Sequence, residues 1–272
     1  MDIDKFLSDA YKELDLMIKQ QEDDFVELFI DDYLSDFFVD DTTLKNSTGN
    51  YAKANEINKR FDDAYEAFII PFLFWYAKKL VDSGVIAVDY FKSIGVKAKL
   101  SDVDYIKKAI GLNGKNIIKG SFLWNLGMMG ELRQRFQSLV INAISSSQKL
   151  NLLIRNSKAI FKSTRKNKSA LAKYYTKYAY MPINQTLNGA SYKLAQQYGL
   201  TKFRYAGNLV EKSRDFCIER AGNIYTIEQG KSWNNLDWAG KIVGVDFFIQ
   251  CGGYACRHFL QYLSKNKEDE GK

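Results

Sequence analysis

The chain holds one histidine, two prolines and three cysteines in 272 residues, and each scarcity removes a class of structure. A single histidine, His258, argues against histidine-based metal catalysis. Two prolines, Pro71 and Pro182, favour long helices over a turn-rich β sandwich. Three cysteines are too few for a disulfide-dense secreted scaffold, and an odd number cannot be fully paired within one chain. The longest apolar run, 67–77, is 11 residues long and contains Pro71. A bilayer-spanning helix needs about 20 such residues, so this run reads as buried core. The start Met1-Asp2-Ile3-Asp4-Lys5 lacks the basic and apolar regions of a signal peptide, so a reducing cytoplasm, or a particle assembled there, is expected. No G-x-G-x-x-G, H-E-x-x-H or G-x-S-x-G occurs, and Gly111-Leu-Asn-Gly114-Lys115 is too short for a phosphate loop.

What is present suffices for a sizeable core. Hydrophobic residues make up 46% and charged residues 26%, outside the range of disordered chains. The length fits one large domain or two modest ones. The net charge of +7 conceals a gradient. Residues 1–66 carry 18 acidic and 7 basic groups, residues 67–200 carry 5 and 21, and residues 201–272 carry 9 and 11. From Leu132 to Val210 there is no Asp or Glu, against 14 Lys or Arg.

Such a stretch cannot neutralise itself through local i,i+4 pairs. It calls for the acidic N-terminal region or an anionic partner such as nucleic acid. Its densest part places Arg155, Lys158, Lys162, Arg165, Lys166 and Lys168 as candidate phosphate contacts, and Tyr174, Tyr175, Tyr178 and Tyr180 interleave with Lys173 and Lys177. The acidic pairs Asp23-Asp24, Asp31-Asp32 and Asp40-Asp41 lack the spacing of a cation site and read as a solvated helix face.

Periodicity predicts helices over 2–40, 52–81 (kinked or restarted at Pro71), 131–160 and 170–198, the last ended by Gly199 as a C-cap. Residues 42–50 read as a loop. The glycine-punctuated 82–130 reads as short helices joined by turns, with a cap at Ser101–Asp104, and 161–169 as a basic break. After Gly199 the pattern changes. Lys202–Tyr205 alternates like a strand, Ala221–Thr226 reads as a turn entering a strand, and Cys256–Leu263 as a final strand.

The expected architecture is mainly α, a long-helix N-terminal region followed by a small α+β C-terminal module. It divides into an acidic helical segment (1–66), a basic helical region (67–198), a Cys/His-containing α+β module (199–264) and a charged tail (265–272) that frays.

All three cysteines and the histidine lie in the last 56 residues: Cys217, Cys251, Cys256 and His258. Thiolate and imidazole are the ligands zinc prefers, and four of them complete a tetrahedral structural site. Cys256 and His258 share a face if their segment is a strand, and Gly252-Gly253 permits a tight turn between Cys251 and Cys256. The spacing matches no common zinc finger, so reduced buried cysteines and a single disulfide remain open beside a structural zinc. A Cys–His nucleophilic pair lacks any marked orienting group or oxyanion site.

The order of motifs in this segment is more specific than any one of them. Tyr205-Ala-Gly207 is followed by Ser213-Arg214-Asp215-Phe216-Cys217, and then by Arg220-Ala-Gly222-Asn-Ile-Tyr225-Thr226. A linker with Trp233 and Trp238 leads to Gly252-Gly253-Tyr254-Ala255-Cys256-Arg257-His258. Over about 185–263 this resembles the C-terminal domain of the Mu F-like minor head proteins of tailed phages, which carry Arg-x-x-Cys before a Gly-x-x-Tyr-Thr turn and close on a Cys-Arg-Cys or Cys-Arg-His strand. Many members have Pro-x-His before the closing Cys-Arg, where Cys251-Gly-Gly-Tyr stands here.

The resemblance implies a non-enzymatic virion protein. It would sit in several copies inside the capsid near the portal, contacting portal or capsid proteins and packaged double-stranded DNA, with a role in head assembly, genome packaging or ejection. No membrane contact is expected. The alternatives are a capsid-carried nuclease or ADP-ribosyl transferase, and a zinc-containing DNA-binding protein.

Overall fold

The computed structural model describes residues 2–37 and 43–264. The Asp40-Asp41 pair and the tail 265–272 lie outside these. The structure is mainly helical, 66% helix against 7% strand. In chain order it contains α1 (Ile3–Val26), α2 (Thr48–Asn55), α3 (Ile57–Ala64), α4 (Ile70–Ser93), α5 (Tyr105–Ile110), the short strands β1 (Leu112–Asn113) and β2 (Asn116–Ile117), α6 (Phe122–Met128), α7 (Gly130–Ser145), α8 (Leu150–Phe161), α9 (Ala170–Tyr178) and α10 (Tyr180–Tyr198). Then come β3 (Lys202–Ala206), α11 (Asp215–Ile218), β4 (Ile224–Thr226), α12 (Ile227–Ser232), α13 (Phe247–Gln250) and β5 (Phe259–Tyr262).

Several boundaries differ from expectation, each for a local reason. The first helix gives way after Val26 to a π turn over Glu27–Tyr33 and a 3-10 turn over Leu34–Phe37. Pro71 starts α4 instead of kinking it: a π turn over Tyr65–Ile69 precedes it, and Ile70 N–H reaches back to Tyr65 O. Proline's missing donor is tolerated in a helix's first turn. The same helix runs past Val81 to Ser93, because Gly84 lets a neighbour in close. A Cβ there would lie 2.3 Å from Ile106 Cδ1.

The long helix expected over 131–160 breaks at the serine run, where Ser147 has φ 48°. The one expected over 170–198 breaks at Ala179, just before Pro182 in the first turn of α10. Gly199, at φ 64°, is its C-cap as expected. Cys256–His258 is not strand, since β5 begins only at Phe259.

The chain forms two compact units, each drawn from separated segments. One comprises Lys12–Tyr76 and Gly114–Tyr178. Its core is a cluster of phenylalanines, Phe25, Phe29, Phe61, Phe136 and Phe161, all fully buried. Their ring centroids lie 4.5 Å (Phe29–Phe61) to 6.4 Å (Phe61–Phe136) apart. Each such ring contributes about 1.5–3 kcal/mol by leaving water. The apolar run is core as expected, with Ile69, Phe72, Leu73 and Tyr76 fully buried.

The other unit comprises Met1–Tyr11, Ala77–Asn113 and Ala179–Lys272. Its sheet is antiparallel in the order β4-β3-β5. Phe203 pairs with Tyr225 on one side and Tyr262 on the other. Phe203 and Tyr205 point into the core at 0% exposure while Arg204 faces outward, the alternation that marks a half-buried strand. Helix α10 packs against β5 and α13. Its buried face mixes Ile183, Leu187, Ala190 and Leu194 with the polar Asn184 and Asn188. Among the described residues, no helix is long and apolar enough to cross a membrane.

Candidate metal centre

Three of the four sequence-derived ligands meet. One ligand atom each from Cys217, Cys256 and His258 lie within 4.8 Å of one another. Cys217 rides on α11, and Cys256 and His258 lie in the irregular segment before β5. One residue of β3, Tyr205, touches the cluster. Tyr205 Oη lies 3.4 Å from Cys217 Sγ and 3.8 Å from Cys256 Sγ. The tyrosine ring stacks on the imidazole of His258 at 5.0 Å.

The fourth expected ligand, Cys251, stays outside this group. Its backbone, at φ 48°, terminates α13, and its thiol is fully buried. The expected four-residue set is thereby corrected to three.

The backbone around the cluster is closely specified. Gly252 N–H donates to Cys256 Sγ at 3.2 Å, and His258 N–H donates to the same sulfur at 3.4 Å. Only glycine fits at 252, since a Cβ would sit 2.3 Å from Cys217 Sγ and 2.8 Å from Cys256 Sγ. Asn184 Nδ2 donates to Cys256 O at 3.0 Å and His258 O at 2.9 Å. Asn188 Oδ1 accepts from Leu260 N–H at 3.1 Å. Gly252 O in turn accepts from Trp238 Nε1 at 3.0 Å and from Arg214 Nη1 at 3.4 Å.

Electrostatically the two sulfurs act as a pair. A hydrogen bond from Cys256, with help from His258 and Tyr205, draws the Cys217 thiol well below its ordinary range against the cost of burial. The same shared bond and burial push Cys256 far up. Cys251 is raised by burial and by the nearby Cys217. At the first turn of α1, burial and Asp2 raise the Asp4 carboxyl while His258 lowers it.

A divalent ion fits this donor set. Around tetrahedral zinc, nitrogen and sulfur ligands lie about 3.5 Å apart, and His258 Nδ1 stands 3.4 Å from Cys256 Sγ. His258 is 5% exposed, and its Nε2 has no hydrogen-bond partner among the described residues. The cluster could therefore hold a metal, and a cation's charge would let both sulfurs ionise.

The candidate phosphate contacts lie in the other unit, on α8 and the loop after it. Arg155, Lys158, Arg165, Lys166 and Lys168 are exposed and Lys162 is half-buried. Two of the six have local partners: Lys162 pairs with Asp23, and Lys168 Nζ donates to Thr176 Oγ1 at 3.3 Å. Arg155, Lys158, Arg165 and Lys166 have no ion pair among the described residues. Tyr175 is buried packing at 0% exposure, not a stacking platform.

The loop is held from inside by a residue that charge counting overlooked. Glu22, 5% exposed, accepts at a single oxygen from Ser163 N–H (3.1 Å), Ser163 Oγ (2.5 Å) and Ser169 Oγ (2.5 Å). The acidic segment therefore does dock on basic helices of its own chain, through Glu22 and through the pairs Asp23–Lys162 and Asp62–Arg133.

Tyr205, Asn184 and Asn188 were likewise not singled out as site residues, whereas Gly252 was expected to turn the chain between Cys251 and Cys256. Asn184 and Asn188 left a signal, two amides at i,i+4 on an otherwise apolar helix face.

No protein-family model matches the chain, and no match is found among curated proteins or solved structures.

Proposed function

We propose that the chain is a non-enzymatic structural protein of a tailed-phage head, in which a zinc-clipped C-terminal module is paired with a basic face that binds duplex DNA without base selectivity. The observation that carries the DNA part is the exposed group Arg155, Lys158, Arg165 and Lys166. These four cations stand on one helix and its following loop, with no carboxylate pairing them among the described residues. The intramolecular carboxylates engage Lys162 and Arg133 instead. Phosphate contacts of this kind position without reading sequence. The order of motifs from Tyr205 to His258 supports the placement in a head near the portal. The donor chemistry of Cys217, Cys256 and His258 supports zinc over other divalent ions, because thiolate with imidazole suits it.

The test is duplex-DNA affinity of the full chain across a salt series, with sedimentation of a lysate to locate the chain. Four released counter-ions give a slope of log K against log salt of about −4. Replacing the four residues by alanine is expected to flatten the slope towards zero. Absence of affinity at low salt overturns the DNA reading, and a chain that stays at the top of the gradient, away from DNA-filled particles, overturns the head reading.

A further inference from the structure

Three protein ligands leave a tetrahedral ion one position short, and the structure shows what lies beside that position. A cavity of about 400 Å³ has Cys217, Cys256 and His258 in its wall. Lys212, Ser213, Arg214 and Arg257 line it as well, and among the described residues no carboxylate does. Cys251, the remaining thiol, does not line it. Lys212 and Arg257 are exposed, and the Arg257 guanidinium lies over the Tyr11 ring at 5.5 Å. Arg214 is fixed, its guanidinium donating to Gly252 O and Tyr254 O with further N–H groups to spare.

The charges point one way. A divalent cation with two thiolates and a neutral imidazole is formally uncharged, so among the described residues of the wall nothing anionic offsets its three cations. Structural zinc sites are closed by four protein ligands, whereas a three-ligand site takes its fourth from solvent or a bound molecule. Oxyanions, phosphate above all, are what guanidinium and ammonium groups converge on.

We infer that the fourth coordination position is open to this cavity and is filled by a phosphate oxygen held between the metal and Lys212, Arg214 and Arg257. The inference rests on the metal reading above. It makes the centre a ligand-receiving site, not a closed structural clip. Its source of phosphate is either the free ion or a backbone phosphate of DNA.

Cobalt(II) is the probe, since its visible bands report ligand number and its sulfur charge-transfer bands report thiolates. The full chain is loaded with cobalt and titrated separately with inorganic phosphate and with a short duplex. The expected result is a saturable shift of the visible bands with phosphate, weakened about tenfold in Arg257→Ala and in Lys212→Ala while cobalt uptake stays unchanged. A shift with duplex as well identifies DNA as the source, and a shift with phosphate alone identifies the free ion. Cobalt bound with bands indifferent to both, or a sulfur band lost in Cys251→Ser, overturns the open position. No cobalt uptake by the wild-type chain, with uptake also absent after full reduction, overturns the metal reading itself.

Discussion

Two buried polar knots, one in each compact unit, are built on opposite principles. In the knot of Glu22, Ser163 and Ser169, one carboxylate oxygen takes three donors. In the knot of Cys217, Cys256 and His258, a bond between the sulfurs draws one thiol down and pushes the other up, and His258 Nε2 has no hydrogen-bond partner among the described residues. A satisfied network fixes a loop and asks for nothing further. An unsatisfied one costs stability as it stands, which is tolerable where a ligand makes good the deficit. The difference separates a structural device from a candidate site more sharply than residue type does.

The largest effect is expected from breaking the satisfied knot. Glu22→Ala strands three donors and should lower stability by about 2–4 kcal/mol, whereas Glu22→Gln, which keeps an acceptor oxygen, should lose less than half of that. Chemical denaturation measures both, and equal losses would show that packing, not hydrogen bonding, carries the site. Zinc at 100 times its dissociation constant should stabilise the wild-type chain by about 2.7 kcal/mol and leave Cys217→Ser and Cys256→Ser unmoved, read as a shift in melting temperature.

Gly252→Ala comes next. The new methyl meets both sulfurs, so a loss of about 1–3 kcal/mol together with metal uptake is expected. Gly189→Ala, whose methyl would meet nothing nearer than 3.9 Å, serves as the tolerant control.

The smallest effect concerns a half-buried carboxylate that is as well bonded as Glu22. Asp102 is held below its usual range by Lys99 N–H, and then by Tyr198 and Gln197. Its folded-state value lies below the unfolded one, so its contribution is complete above pH of about 4 and disappears as pH falls through the folded value. Asp102→Asn should lower stability slightly at neutral pH, where the contribution is present but weakened by solvent screening, and leave acid pH nearly unchanged, so the acid limb of the melting curve flattens.

The long apolar periodicities made the helical class legible, and the alternation at Lys202–Tyr205 made the sheet legible. The breaks were less so. The serine run at 145–147 and Pro182 are ordinary helix-ending signals that a strong apolar period on both sides masked. The helix through Gly84 was missed because a glycine's reason lies in Val103 and Ile106, which only the fold brings near.

At the candidate site, residue chemistry identified Cys217, Cys256 and His258. It could not exclude Cys251, because which way a thiol faces depends on the turn at φ 48° and not on spacing. Charge sums similarly named the basic stretch but could not tell Lys162, engaged by Asp23, from Arg165, which has no ion pair among the described residues.

The interleaving of segments has a consequence for the order in which the molecule is made. Tyr11 stacks on Tyr180 at 5.6 Å and lies under Arg257, and Tyr90 Oη bonds to Tyr262 O, 172 residues away. The opening residues of α1 leave the ribosome well before the segments that hold these partners. At about 5–20 residues per second, their docking surface is missing for many seconds. The segment Lys12–Tyr76 and its partner Gly114–Tyr178 are complete earlier, so the phenylalanine core has time to close before Cys217 and His258 exist. A nascent chain halted near residue 178 should therefore already protect the amides of that core, while everything that surrounds the sulfurs is still to come.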